Sequence, residues 1–190
     1  MTPAVAVLDA NALYPAPLRD LLMQMSYDGL FQARWTAEIE HEWKRNLLVN
    51  RPDLAGQIDR TQAVMRRTIP DALVTGYATP LPDLSLPDPN DRHVLAAAIV
   101  AVADAIVTFN LRDFPAAALT GHGVEALHPD DFLMEFAAAK PCQVLAAIRS
   151  CLARLANQPI MPDGYLAALH RLGLMETASF PNGHRPDWYP

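Results

Sequence analysis

Glycine is scarce in this chain, with 8 residues among 190. None of the eight forms a GxxxxGK[ST] or GxGxxG pattern, which excludes a Gly-rich phosphate cradle. There is no G-x-S-x-G nucleophile elbow, and the histidines show no HExxH spacing, which argues against serine-hydrolase and zinc-protease chemistry. Cysteine is nearly absent. Cys142 and Cys151 make neither a metal-ligand pattern nor a disulfide framework, and the expectation is that both behave as small apolar residues. Basic charge is in deficit too, with a formal net charge of −6. Nucleic acid could be held only by a local site, because no global positive field exists to attract it. The longest apolar stretch, Val94 to Val107, is interrupted by Asp104 and is too short to span a bilayer. Met1-Thr2-Pro3-Ala4 places no basic region ahead of the first apolar run, and Asp9 ends that run early, so no signal peptide is read. These features predict a cytoplasmic protein with no membrane association.

What is present is globular. Hydrophobic residues make up 51% and charged residues 19%, and the length suits one domain with a small appendage. Ala4 to Leu8 is a continuous apolar run that reads as a buried strand. A helix follows over Leu18 to Met25, then a short strand over Leu30 to Arg34. Thr36 is a good N-cap for a helix whose stripe is Ile39, Trp43 and Leu47. A further helix is expected over Leu54 to Thr68. Ala78 to Pro89, with Pro80, Pro82, Pro87 and Pro89, reads as a loop. Asp88 and Pro89 open a helix predicted to run from Pro89 to Ala103. Ala105 to Thr108 and Val124 to Leu127 are two more short strands. Helices over Phe132 to Ala139, Val144 to Ala156 and Tyr165 to Leu172 form a C-terminal helical appendage, and Phe180 to Pro190 is expected to be extended. Strands alternating with helices predict an α/β fold, a parallel sheet flanked by helices. The division drawn is residues 1–132 for the main domain and 133–190 for the helical extension.

Ligands of open parallel sheets sit beyond the carboxyl ends of the strands. Asp9 and Asn11 follow the first strand, and Asn110 and Asp113 follow the strand at Ala105. Asp88 fits a helix cap, and Asp91 falls where a negative charge suits the helix dipole. Glu38 lies in a first turn, where the same dipole accounts for it. Glu42 lies beyond that turn, about 60° from the apolar stripe, so a carboxylate there needs a partner. Glu40 and His41 are expected to point further away, and His93, two residues after Asp91 on a helix, to face elsewhere on the surface. If Asp9, Glu42, Asp91 and Asp113 converge, each pair at about 4 Å repels by roughly 4 kcal/mol at an effective dielectric near 20. Oxygen-only ligands then select a hard ion, Mg²⁺ or Mn²⁺, and carboxylate-bound Mg²⁺ serves phosphate chemistry.

Four segments, taken together, carry a resemblance. They are Asp9-Ala10-Asn11 after a strand, Glu38 to Trp43 on a helix, Asp88 to Ala96, and Val107 to Phe114. In that order they resemble the PIN-domain family, most closely its VapC-type toxins. The final strand running into His128-Pro129-Asp130-Asp131 is similar too, and the resemblance covers Ala4 to Phe136. It implies a PIN-like parallel sheet and a metal-dependent endoribonuclease hydrolysing RNA phosphodiester bonds, the toxin of a type II toxin–antitoxin system. On this resemblance Asp9, Glu42, Asp91 and Asp113 are the catalytic acids and ligands for Mg²⁺ or Mn²⁺. Asn11 and Thr108 support them, Asp88 serves as an outer acid, and the fourth ligand is either Asp113 or Asn110. An RNA substrate, a cognate antitoxin and a homodimer are the implied partners.

Arg45, Arg66 and Arg67, on two consecutive predicted helices, are expected to contact RNA phosphates at the rim. Two alternatives stand beside this reading. One is a haloacid-dehalogenase-type phosphatase, which wants a second aspartate where Asn11 stands. The other is a non-catalytic RNA- or protein-binding module with a degenerate site.

Overall fold

The computed structural model describes residues 4–79, 83–154 and 162–184. Four short strands build one sheet: β1 (Ala4–Leu8), β2 (Phe31–Arg34), β3 (Ala105–Val107) and β4 (Glu125–Leu127), in the order β2-β1-β3-β4. All three pairings are parallel, with Ala6 opposite both Ala33 and Ala105, and Ile106 opposite Ala126. β1 and β3 are the two inner strands. Ala6, Val7, Leu8, Ile106 and Val107 are fully buried, as a parallel sheet covered on both faces requires. The chain leaves β1 toward one edge and β3 toward the other. The gap between their carboxyl ends is therefore the topological switch point, where such sheets bind ligands.

The helices that matter for the site are α1 (Ala10–Leu13), α2 (Ala16–Tyr27), α3 (Ala37–Asn50), α4 (Ala55–Thr68) and α5 (Arg92–Ala101). α1 is a single turn that the sequence pattern does not signal. Thr36 caps α3 as expected, its hydroxyl accepting from Ile39 N at 3.1 Å. The prolines at 80 and 82 lie outside the described residues.

The expected helix from Pro89 to Ala103 divides in two. Pro89–Asp91 is a 3₁₀ turn capped by Asp88, whose carboxylate accepts from Asn90 N at 2.8 Å, and α5 begins only at Arg92. Asp91 is thus the N-cap of α5 and not its third residue. α5 stops at Val102, which adopts the left-handed conformation at φ 50°.

After β3 come α6 (Ala116–Leu119), α7 (Pro129–Ala139), α8 (Pro141–Arg154), α9 (Pro162–Arg171) and α10 (Met175–Ser179). α7 begins at Pro129, earlier than the hydrophobic pattern suggests, because His128 Nδ1 caps it by accepting from Asp130 N. Leu155 and Ala156, expected to end α8, lie outside the described residues, as do 185–190. Phe180–His184 forms a 3₁₀ turn where an extended tail was expected.

The C-terminal helices share the core of the sheet domain. Phe132 stacks edge-on against Phe31 of β2 with ring centroids 5.0 Å apart. Tyr165 Oη donates to Pro17 O at 3.1 Å, and the Asp130 carboxylate accepts from Glu176 N and Thr177 N at the start of α10. Among the described residues, no helix is long and apolar enough to cross a membrane.

Candidate active site

Asp9 leaves the end of β1, and its backbone N–H extends the β1–β3 ladder by donating to Val107 O at 3.1 Å. The residue is 5% exposed, and both of its carboxylate oxygens are hydrogen-bonded. Oδ1 accepts from Ala10 N at 2.6 Å; Oδ2 accepts from Asn11 Nδ2 at 2.6 Å and from Thr108 Oγ1 at 2.7 Å. Asn11 Nδ2 also reaches Thr108 Oγ1 at 2.9 Å, and Asn11 Oδ1 accepts from Phe109 N at 3.0 Å. The expected supports, Asn11 and Thr108, therefore hold Asp9 in one orientation and tie the two strand ends together.

The next turn carries Asn110 and Asp113. Asn110 N donates to Thr108 Oγ1 at 3.0 Å, and Asn110 Nδ2 donates to an oxygen of Asp113. The two candidates for a fourth ligand are thus hydrogen-bonded to each other, and the amide orients the carboxylate.

Asp91 is where the acids meet. Its carboxyl is pushed up to about 7, by burial first and then by the charges of Asp9, Asp88, Asp113 and Glu42. The Asp9 carboxyl is raised as well. Burial is the main cause and Glu42 adds to it, against the lowering hydrogen bonds from Thr108 and Ala10 N. The charges of four other acids, Asp9, Asp88, Asp113 and Glu42, thus all bear on Asp91. Glu42 borders a cleft of about 480 Å³ with Glu38, Asp88, Asp91, His93 and Arg45.

The donor set suits a hard divalent cation. Every acid offers oxygen, and a carboxyl held near 7 by burial and then by neighbouring anions is one that a cation would ionise. Among the described residues, no three His, Cys, Asp or Glu side chains are drawn close enough to hold an ion as they stand.

Three expectations are corrected. His93 is not a surface residue: its side chain is 7% exposed and lies between Glu38 and Glu42. Burial opposes its protonation, but Glu42 beside Nε2 and the charges of Glu38 and Asp9 outweigh that and raise its pKa. His93 sits in the first turn of α5, directly after the 3₁₀ turn. An Asp-Pro start that leaves Asp91 as a second cap was the available signal.

Glu40 does not point to solvent. It is fully buried and accepts from Trp35 Nε1 and Gln62 Nε2, each at 2.8 Å, and from the Arg66 guanidinium. Arg66, expected at RNA phosphates, is therefore occupied by Glu40. Gln62 and Arg66, one turn apart on α4, were the signal for this buried carboxylate. Arg67 is exposed and does not line the cleft, whereas Arg45 does.

An acid-lined switch point on a four-stranded parallel sheet, with a Thr and an Asn bracing the first aspartate, defines a class of α/β protein. The chain belongs to the PIN-domain family: residues 5–112 match its model, and residues 129–181 match the model of the VapC50 C-terminal domain. A curated protein of Mycobacterium tuberculosis, "Putative ribonuclease VapC50", is 39% identical over 103 residues, which are 53% of this chain and 61% of that protein. The match thus spans less than two thirds of the relative's length. No solved structure matches the chain significantly.

Proposed function

We propose that this protein is a Mg²⁺- or Mn²⁺-dependent endoribonuclease, the toxin of a type II toxin–antitoxin pair. The observation that carries the reading is the bracing of Asp9 by Asn11 and Thr108 at the β1–β3 switch point, with Glu42, Asp88 and Asp91 lining an acidic cleft. Its likeness to a protein named as a ribonuclease supports the choice of RNA as substrate.

Asp9, Glu42, Asp91 and Asp113 would hold the ion, and Asp88 stands behind Asp91. When bound, such an ion activates water and neutralises charge on the phosphoryl oxygens. The residues of this chain do the rest. Asn11 and Thr108 fix the Asp9 carboxylate so that one rotamer is presented, which removes an ordering cost from the reaction. Asn110 aims Asp113. Arg45, at the cleft wall, meets a phosphate of the incoming strand and offsets the repulsion that the acids exert on the backbone. Arg67, exposed on α4 away from the cleft wall, is proposed to meet the RNA backbone only outside the cleft.

The partners proposed are RNA, a cognate antitoxin and a second copy of the chain, acting in the cytoplasm. Residues 1–132 are proposed to carry the reaction and 133–190 to brace α2 and β2.

The direct experiment is cleavage of RNA with Mn²⁺ by purified Asp9→Asn and Asp91→Asn. Both should lose cleavage while keeping wild-type circular dichroism. Cleavage at the wild-type rate by either variant would end the assignment.

A further inference from the structure

His93 is a buried imidazole that the ligand set does not use. It comes from the first turn of α5, two residues after Asp91, so the backbone that places Asp91 also places this ring. Nε2 stands 3.7 Å from Glu42 Oε2, and Nδ1 stands 3.9 Å from Glu38 Oε2. Among the described residues Nδ1 has no hydrogen-bond partner although it is buried, and such an atom calls for an explanation. Glu38 is half exposed yet does not wander freely, since Tyr77 Oη donates to the same oxygen, Oε2, at 3.3 Å. A line therefore runs Tyr77, Glu38, His93, Glu42 and into the cleft.

Glu38 and Glu42 lie one turn apart on α3, where like charges push each other aside. Glu42 has the longest side chain of the four proposed ligands. Among the described residues it has no hydrogen bond of the kind that fixes Asp9, and fixing a free glutamate costs rotamer entropy. We propose that His93 is a positioning residue of this site: wedged between the two glutamates, it takes Glu38 on one ring nitrogen and turns the Glu42 carboxylate toward Asp9 and Asp91 with the other. The inference rests on the nuclease reading and adds to it a residue outside the ligand set. Both separations are just beyond hydrogen-bond length, as contacts at such sites often are before the ligand draws them in. The ring cannot swing into solvent, so closing either contact needs only a rotation of the glutamate.

The test is a calorimetric titration of Mn²⁺, without RNA, into wild type, His93→Gln, Glu42→Gln and the double variant. Groups that orient a ligand cost roughly 10–100-fold in metal affinity when removed. His93→Gln is expected to raise the Mn²⁺ Kd by about that factor. In the Glu42→Gln background the same change should matter less than about threefold, because the carboxylate it steers is gone. Should His93→Gln fail to fold, Glu38→Gln, half exposed on α3, is expected to weaken Mn²⁺ binding in the same direction with unchanged thermal stability. Wild-type affinity in a folded His93→Gln, or in Glu38→Gln where His93→Gln does not fold, overturns the inference, as do fully multiplicative losses in the double variant. Asp91→Asn separates the two claims. If it cleaves RNA like wild type, the nuclease reading falls. If it is inactive while His93→Gln binds Mn²⁺ normally, only the role of His93 falls.

Discussion

Thr108 Oγ1 donates its one proton to Asp9 Oδ2 at 2.7 Å across 99 residues of sequence. The same oxygen accepts from Asn11 Nδ2 and Asn110 N. One hydroxyl thus joins the ends of β1 and β3 and the turn that carries Asp113. Thr108→Val keeps the shape and removes the hydroxyl. It is expected to leave a buried carboxylate oxygen and two donors short of a partner, costing about 1–3 kcal/mol of stability. Cleavage should fall by roughly 10–100-fold at saturating RNA, since the orientation of Asp9 is lost and not RNA binding. Chemical denaturation and kcat measured on the same preparation check both halves.

Asp91 links the acid cluster to stability. Its carboxyl is raised from 3.8 to about 7 in the fold, so the folded chain binds more protons than the unfolded chain between those values. The contribution is fully present below pH 3.8 and is lost as pH rises through about 7. In metal-free buffer Asp91→Asn should therefore melt above wild type at pH 8, and the difference should vanish toward pH 4. Melting curves across that range read it directly.

Glu40 behaves in the opposite sense. Burial opposes its ionisation, but the hydrogen bonds from Arg66, Gln62 and Trp35 outweigh burial and hold its carboxyl below the usual glutamate value of 4.5. Its contribution is complete above that value and disappears as pH falls through the lower, folded one. Glu40→Gln should flatten the acid limb of stability relative to wild type. Glu40→Ala strands the buried Trp35 Nε1–H and should cost about 1–3 kcal/mol at pH 7. Arg67→Ala, on the exposed side of the same α4, should stay within about 0.5 kcal/mol.

Arg45 is the basic residue of the cleft wall. Arg45→Ala should weaken RNA binding across sequences alike and reduce the salt dependence by about one phosphate contact, with kcat and melting temperature unchanged. Titration of labelled RNA with Asp91→Asn and with Asp91→Asn/Arg45→Ala at several salt concentrations measures this without cleavage.

Much of this arrangement is legible in the sequence. The apolar runs at Ala4 and Ala105 announce buried parallel strands, and the acids immediately after them fall where such sheets bind ligands. Thr36 and Asp88 act as the caps that their residue types suggest. What the pattern hides is tertiary. Glu40 sits beside an apolar stripe and looks solvent-bound until α4 brings Gln62 and Arg66 over it. His93 looks misdirected when counted from Asp91 on an ideal helix, yet it lines the acid cleft beside the α3 glutamates, which local spacing does not encode. The packing of α8 and α9 on α2 likewise depends on contacts such as Tyr165 to Pro17, which no local spacing encodes.

The most direct measurement is the proton count on Mn²⁺ binding, obtained by calorimetry at pH 7 in buffers of different ionisation enthalpy. A carboxyl held near 7 is partly protonated at that pH and must ionise to serve as a ligand. Wild type should bind Mn²⁺ and release on the order of half a proton, falling toward zero at higher pH, with the release absent in Asp91→Asn. Failure of wild type to bind Mn²⁺, or binding with no proton release that Asp91→Asn alters, would contradict the claim that these carboxylates form one metal site.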